Sequence, residues 1–211
     1  MEKIDFDDLR NEFDFGKLLE NDVPDDPVVL FEEWMRDAIS AVSENANSMI
    51  LSTVSKEGKP SSRIVLLKDF NENAFVFFSN YNSRKGNELS DNPNASLLFH
   101  WNELHRQIRI EGKVQRTEID VSDDYFNSRP ENSRISAMIS PQSEVIPDRE
   151  FLEKQFHMDK LSNKIERPSH WGGYILKPDY FEFWQGRVGR LHDRIAYEVK
   201  SGEWERYRLA P

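Results

Sequence analysis

Along residues 28–42, VVLFEEWMRDAISAV, apolar side chains recur at roughly helical spacing at Val29, Phe31, Trp34, Met35, Ile39 and Val42. This pattern, after the turn-like NDVPDDP, predicts an amphipathic helix. The preceding DFDDLRNEF predicts only a short, marginal one. From residue 48 the texture changes. SMILSTVS, SSRIVLLKDF and AFVFFSN are short β-rich runs divided by KEGKP and NEN turns. NSRKGNELSDNP predicts a short helix capped by Asn82 or Ser83 and stopped before Pro93. ASLLFHW and HRQIRIEGKVQRTE resume strand character, with Ile108 and Ile110 alternating with Gln107, Arg109 and Glu111. A helical block over about 119–163 is interrupted by RPENSR and SPQSEVIPD. WGGYILKP, YFEFWQG, RIAYEVK and WERYRLAP then return to strands.

The inventory is seven or eight short strands with a few helices between them. Tight turns between neighbours require antiparallel pairing, since a parallel crossover needs a dozen or more residues. No βαβ series is visible, so the expected fold is mainly β: a closed or partly closed antiparallel barrel with flanking helices. A length of 211 residues suits one domain. The 14 Phe, 6 Tyr and 5 Trp supply large core side chains and argue against disorder.

Charge and composition narrow the function. A net charge of -10 weighs against broad nucleic-acid or anionic-membrane binding, yet permits a local basic pocket for a small anion. The absence of cysteine removes thiolate chemistry and cysteine-ligated metals, and no histidine pair has the i, i+4 spacing of a helical zinc site, so no metal is expected. Apolar runs such as VVLF are too short to span a bilayer, and MEKIDFDDLR resembles neither a signal nor a transit peptide. The expectation is a cytoplasmic protein.

No phosphate-loop, dinucleotide-binding or serine-hydrolase motif is present. Four basic sets remain. Arg63 and Lys68 flank IVLL; strict alternation sends them to opposite faces unless a bulge or twist intervenes, to serve two ligands or two ends of one, although taken alone a strand with solvated ends is the better reading. Ser83, Arg84 and Lys85 open a short helix, where cations are unfavourable unless an anion binds, although such surface triplets are common. Tyr125, Arg129 and Ser133 are spaced four apart around Pro130 and make either a phosphate cup or an ordinary helix surface and turn. Finally, RVGRLHDR follows YFEFWQG. If RLHDR is extended, Arg190, His192 and Arg194 share one face, which points to an anion, with Asp193 turned away toward an ion pair. A surface salt-bridged to glutamates is the alternative.

Together these stretches resemble the pyridoxamine 5′-phosphate oxidase family. RIVLLK, SNYNSRK, SLLFHW, Gln107, YFNSRPENSRISAMISPQS, WGGY, FEFWQGRVGRLHDR and RLAP carry the likeness, in order, from about residue 25 to the C-terminus. The resemblance implies an FMN-binding antiparallel split β-barrel over residues 25–211, a homodimer with the flavin at its interface, and an arm over residues 1–24 serving as a mobile lid. It implies that Arg63, Arg84 and Lys85 hold the flavin phosphate, with the Ile64, Val65 and Leu66 backbone beside the ring. Phe78, Ser79, Gln107, Gln142, Ser143, Trp184 and Arg194 would complete the flavin site. Lys68, Tyr125, Arg129 and Ser133 would bind the substrate phosphate, and Arg190 and His192 would be the catalytic pair over the pyridine.

The implied reaction is oxidation of pyridoxamine or pyridoxine 5′-phosphate to pyridoxal 5′-phosphate by O2, with hydrogen peroxide as product. Three positions depart from the family's pattern. Phe78 stands where Tyr is common, Phe13 ends RNEF where a tyrosine often closes the lid beside Arg10, and Pro141 precedes Gln142. A related flavoprotein with another substrate and a non-catalytic carrier of a phosphorylated vitamin are the competing readings.

Overall fold

A computed structural model describes residues 16–42, 44–162 and 164–211. The marginal helix, Arg10 and Phe13 fall in residues 1–15, outside the described residues. The first helix, α1 (Pro27–Ala41), starts where Asp26 accepts a hydrogen bond from the Val28 N–H at 2.8 Å, and Pro27 fits a first turn that needs no amide donor. Its buried face is Val28, Leu30, Phe31, Trp34, Met35 and Ala38. Val29 and Ile39, counted in the expected stripe, are exposed. The helix is rotated so that the small Ala38 lies inward and permits close packing.

The chain continues through β1 (Ser48–Val54), β2 (Pro60–Leu66), β3 (Asp69–Asn71), β4 (Ala74–Asn80), α2 (Arg84–Asp91), β5 (Asn94–Trp101) and β6 (Arg106–Arg116). Three helices follow: α3 (Ile119–Ser128), α4 (Glu131–Ile139) and α5 (Arg149–Ser162). The last strands are β7 (Trp171–Gln185), β8 (Asp193–Lys200) and β9 (Glu203–Arg208). The hydrogen-bonded order is β2-β1-β5-β6-β7-β4-β3, with β8 on β7 and β9 on β8.

WGGYILKP and YFEFWQG, expected as two strands, are the single strand β7. Its Trp171–Leu176 part pairs with β4 and its Tyr180–Gln185 part with β8, so Pro178 falls between those ladders, where neither needs its missing N–H. The RPENSR interruption is also shorter than expected. Only Arg129 and Pro130 separate α3 from α4.

Two compact units divide the chain. The cavity unit comprises Ser48–Leu97 and Glu111–Pro178; the terminal unit comprises Leu98–Ile110, Asp179–Pro211 and the described part of Met1–Asn47. The strands β5, β6 and β7 contribute residues to both. In the cavity unit Met49, Leu51, Phe75, Phe77 and Leu97 are fully buried. In the terminal unit Trp34 meets Phe183 edge-on, and Phe31 meets Phe99, each with ring centres 5.3 Å apart. Each such side chain contributes about 1.5–3 kcal/mol by leaving water.

Candidate functional site

Antiparallel pairing of β1 and β2 sets Leu51 opposite Arg63 and Thr53 opposite Ser61. Period-two alternation turns Ser61, Arg63 and Val65 half inward, while Ile64 and Leu66 face outward. Beside this edge lies a cavity of about 480 Å³, of the size of small-molecule sites. Its lining joins Arg63 to Leu66, Lys68, Phe78, Ser79, Lys85, Tyr125, Arg129, Pro130, Ser133, Gln142 and Trp171. Arg63 and Lys68 therefore border the same space, and the strict alternation that would oppose them does not hold. The strand ends at Leu66, Leu67 is buried, and the Lys68 N–H bonds to Val76 O at 2.8 Å, so alternation no longer governs Lys68.

The helix α2 begins at Ser83, whose hydroxyl accepts from the Gly86 N–H and donates to Asn80 O. Lys85 is buried, and its Nζ donates to Gln142 Oε1 at 2.8 Å and to Ser83 Oγ at 3.3 Å. Burial, and then the nearby Arg63 charge, lowers its ammonium to about 8. Gln142 Oε1 also accepts from Ser79 Oγ at 3.3 Å. Arg63 donates through Nη1 to Leu51 O at 3.1 Å and Thr53 Oγ1 at 2.6 Å, and through Nη2 to Ser61 Oγ and Glu88. Burial lowers the Arg63 pKa from its ordinary value, against the opposing pull of Glu88.

The opposite wall is aromatic. Phe78 stacks on Tyr125 with ring centres 3.8 Å apart and on Trp171 at 5.6 Å. The stack needs WGGY. A side chain at Gly173 would come within 2.9 Å of the Phe78 ring, and one at Gly172 would collide with the Tyr81 hydroxyl. The Arg129 guanidinium lies over Trp171 at 4.6 Å, and its buried Nη1 has no hydrogen-bond partner. Arg129 does not continue α3, as helical spacing from Tyr125 assumed; it is the extended residue before Pro130, and Ser133 belongs to α4. The three still line one cavity.

Two expected residues of the cavity unit do not enter the lining. Arg84 is largely exposed and donates to Glu88 at 2.8 Å. Ser143 is exposed, with φ of 74° in the turn after Gln142. Trp171 and Pro130 were missed as lining residues, and Glu88, outside the lining but bonded to Arg63, was missed altogether; the WGGY motif was the available signal for Trp171.

The remaining candidates belong to the terminal unit. Gln107 is half-buried on β6. Trp184 sits opposite Arg194 in the β7–β8 ladder, and its ring lies 4.7 Å from that of His192. The RLHDR segment is not a continuous strand. Val188–Arg190 form a 3₁₀ turn with Gly189 and Arg190 at φ of 66° and 61°, and β8 begins only at Asp193. The expected common face of Arg190, His192 and Arg194 is thereby corrected, because the left-handed turn breaks alternation. Arg190 is exposed and makes no hydrogen bond or ion pair among the described residues. Arg194 donates to the buried Glu182 at 2.9 Å, the salt-bridged alternative. Asp193 pairs with Arg208 at 2.8 Å and Arg187 at 3.6 Å. His192 Nδ1 accepts the Arg187 N–H at 3.1 Å; burial, then Arg190, lowers its pKa.

Comparison with known proteins gives the family. Residues 35–158 match the family described as pyridoxamine 5′-phosphate oxidase, and residues 171–211 match the pyridoxine 5′-phosphate oxidase C-terminal dimerisation region. The chain is 50% identical over 207 residues to the pyridoxine/pyridoxamine 5′-phosphate oxidase of Janthinobacterium sp. (strain Marseille), covering 97% of this chain and 98% of that protein. It is 52% identical over 206 residues to that of Polynucleobacter asymbioticus, covering 96% and 97%. In structure it resembles PhzG from Burkholderia lata 383, solved with tetrahydrophenazine-1-carboxylic acid, with a TM-score of 0.88 and 30% identity over 93% of this chain and 99% of that one. The fold is the strand-rich antiparallel split barrel of these proteins, and the chain belongs to the pyridoxamine 5′-phosphate oxidase family.

Proposed function

We propose that this protein oxidises pyridoxamine 5′-phosphate and pyridoxine 5′-phosphate to pyridoxal 5′-phosphate, with FMN as cofactor and O2 as acceptor. One observation carries the reading: the cavity lining holds Arg63, Lys68, Lys85 and Arg129 and no carboxylate, and Arg129 Nη1 is buried without a partner. Concentrated positive charge in a partly dry site calls for an anionic ligand. The donor set fits a flavin phosphate and a substrate phosphate together.

Arg63 and Lys85 would hold the flavin phosphate, with Arg84 reaching in from the rim. The Ile64, Val65 and Leu66 backbone, Phe78, Ser79, Gln142 and Ser143 would border the ring. Gln107, Trp184 and Arg194 would complete the site, supplied across a homodimer interface for which the C-terminal dimerisation region is the support. FMN, when bound, supplies the acceptor for the electron pair leaving the substrate C4′ carbon and passes it to O2, giving hydrogen peroxide.

Lys68, Arg129 and Ser133 bind the substrate phosphate, and the Tyr125 ring, 5.9 Å from Lys68 Nζ, fixes that wall. Holding the phosphate there orients the C4′ end. Arg190 faces the reacting end and stabilises charge without serving as a base, since a guanidinium hardly deprotonates. His192 accepts at Nδ1, so its neutral ring keeps the proton on Nε2 and donates from there. A cytoplasmic setting belongs to the same proposal. A relative acting on an unphosphorylated substrate would keep Arg63 and Lys85 but have no use for Lys68, Arg129 and Ser133 together.

Aerobic turnover of pyridoxamine 5′-phosphate by the FMN-loaded protein tests the reading. Pyridoxal 5′-phosphate and peroxide are expected in equal amounts, and Arg190→Ala is expected to abolish both. Protein that binds FMN yet forms neither product would overturn the substrate assignment.

A further inference from the structure

Glu88 has none of the roles assigned above, yet it is 5% exposed and accepts four hydrogen bonds. The donors are Thr53 Oγ1, Ser61 Oγ at 2.6 Å, Arg63 Nη2 at 3.2 Å and Arg84 Nε at 2.8 Å. Three of these converge on Oε2 and the fourth reaches Oε1, so both carboxylate oxygens are held by the protein. Its position follows from α2, where it lies one turn after Arg84 on the side facing β1 and β2.

We propose that Glu88 is the positioning residue of the cofactor-phosphate site: it locks the Arg63 guanidinium at the cavity edge, tethers Arg84 beside it, and sets the local charge. This rests on the reading that Arg63 and Lys85 hold the FMN phosphate. All four Nη hydrogens of Arg63 are engaged by Leu51, Thr53, Ser61 and Glu88, so the group is a fixed charge presenting its Nε edge rather than a swinging arm. Ser61 and Thr53 bind both members of the pair, which ties its geometry to the β1–β2 register. Arg63, Arg84 and Lys85 against Glu88 leave two positive charges, the complement of a phosphate monoester dianion. Burial alone would raise the Glu88 pKa, but hydrogen bonds from Ser61, Thr53 and Arg84 and the Arg63 charge hold it at about 2, so the countercharge is permanent near neutrality.

The test compares FMN with riboflavin, which lacks the phosphate, by flavin-fluorescence titration of the apoprotein. Glu88→Gln is expected to weaken FMN about tenfold, the size of losing one charged hydrogen-bond partner, and to leave riboflavin unchanged. An equal loss for both flavins would mark a merely structural residue and overturn the proposal, as would no loss. Tighter FMN binding would make Glu88 a competitor of the phosphate and overturn it equally. Should Glu88→Gln not fold, Ser61→Ala decides: a smaller loss confined to FMN supports the proposal, and an unchanged FMN-to-riboflavin ratio overturns it. Arg63→Ala separates the two levels. If it spares the ratio, the cofactor reading fails; if it collapses the ratio while Glu88→Gln does not, only the role of Glu88 fails.

Discussion

In the terminal unit Arg194 meets Glu182 at 2.9 Å and Arg208 meets Asp193 at 2.8 Å, whereas in the cavity unit Lys68, Lys85 and Arg129 border a lining without any carboxylate. Both regions are rich in cations. In the first, Arg194 and Arg208 are matched within the chain. In the second, they are held by neutral groups: Lys85 by Ser83 and Gln142, Arg129 by the face of Trp171. Clustered positive charge therefore points to a ligand where the cations outnumber the anions that the fold supplies, as Arg63, Arg84 and Lys85 outnumber Glu88.

The largest effect expected from this contrast is on stability. Glu182→Ala removes the buried carboxylate that holds the partly exposed Arg109 and Arg194, and should cost about 1.5–3 kcal/mol in urea unfolding. Lys85→Met should do the opposite in ligand-free protein, stabilising it by about 1–2 kcal/mol through removal of a cation held in a dry place. The Lys85 pKa is depressed from 10.5 to about 8, so the unfolded chain binds the extra proton between those values. Its destabilising effect is complete below about pH 8 and fades as pH rises toward 10.5. A cost unchanged across that window would break the comparison.

Next in size is the pH dependence of cofactor affinity. A bound phosphate favours the charged ammonium, while the free protein releases that proton above about pH 8. FMN affinity should fall as pH rises past 8, by up to about tenfold per unit, and Lys85→Met should flatten the profile. Titration of flavin fluorescence between pH 7 and 9.5 measures it.

Most strands, their antiparallel pairing, a cap at Asn82 or Ser83 and the alternation of Ile108 and Ile110 were legible, because each rests on local periodicity or turn chemistry; the joining of WGGYILKP and YFEFWQG into one strand was not. The pairing partners of the charges were not. Arg194 finds Glu182 only through the β7–β8 register, and Arg63 finds Glu88 only once α2 lies against β1 and β2. The facing of Lys68 and Arg190 was legible only on the condition of unbroken strand, and that condition fails for one reason: β2 ends at Leu66, and β8 begins only at Asp193. Resemblance of motifs, rather than spacing, brought Tyr125, Arg129 and Ser133 to the same pocket as Arg63.

The smallest effect concerns Phe78, where the resemblance leads one to expect Tyr. Its ring already stacks on Tyr125, so Phe78→Tyr adds at most one hydrogen bond and should improve FMN affinity by a factor of a few, about 0.5–1.5 kcal/mol.

The most direct test of the contrast between paired and unpaired cations is the ratio of kcat/KM for pyridoxamine 5′-phosphate over pyridoxamine, in the native protein and in Arg129→Ala. The account predicts a strong preference for the phosphorylated amine, lowered about 100-fold by the substitution with FMN affinity unchanged, as expected for losing a buried charged partner. A preference that survives Arg129→Ala undiminished would contradict it.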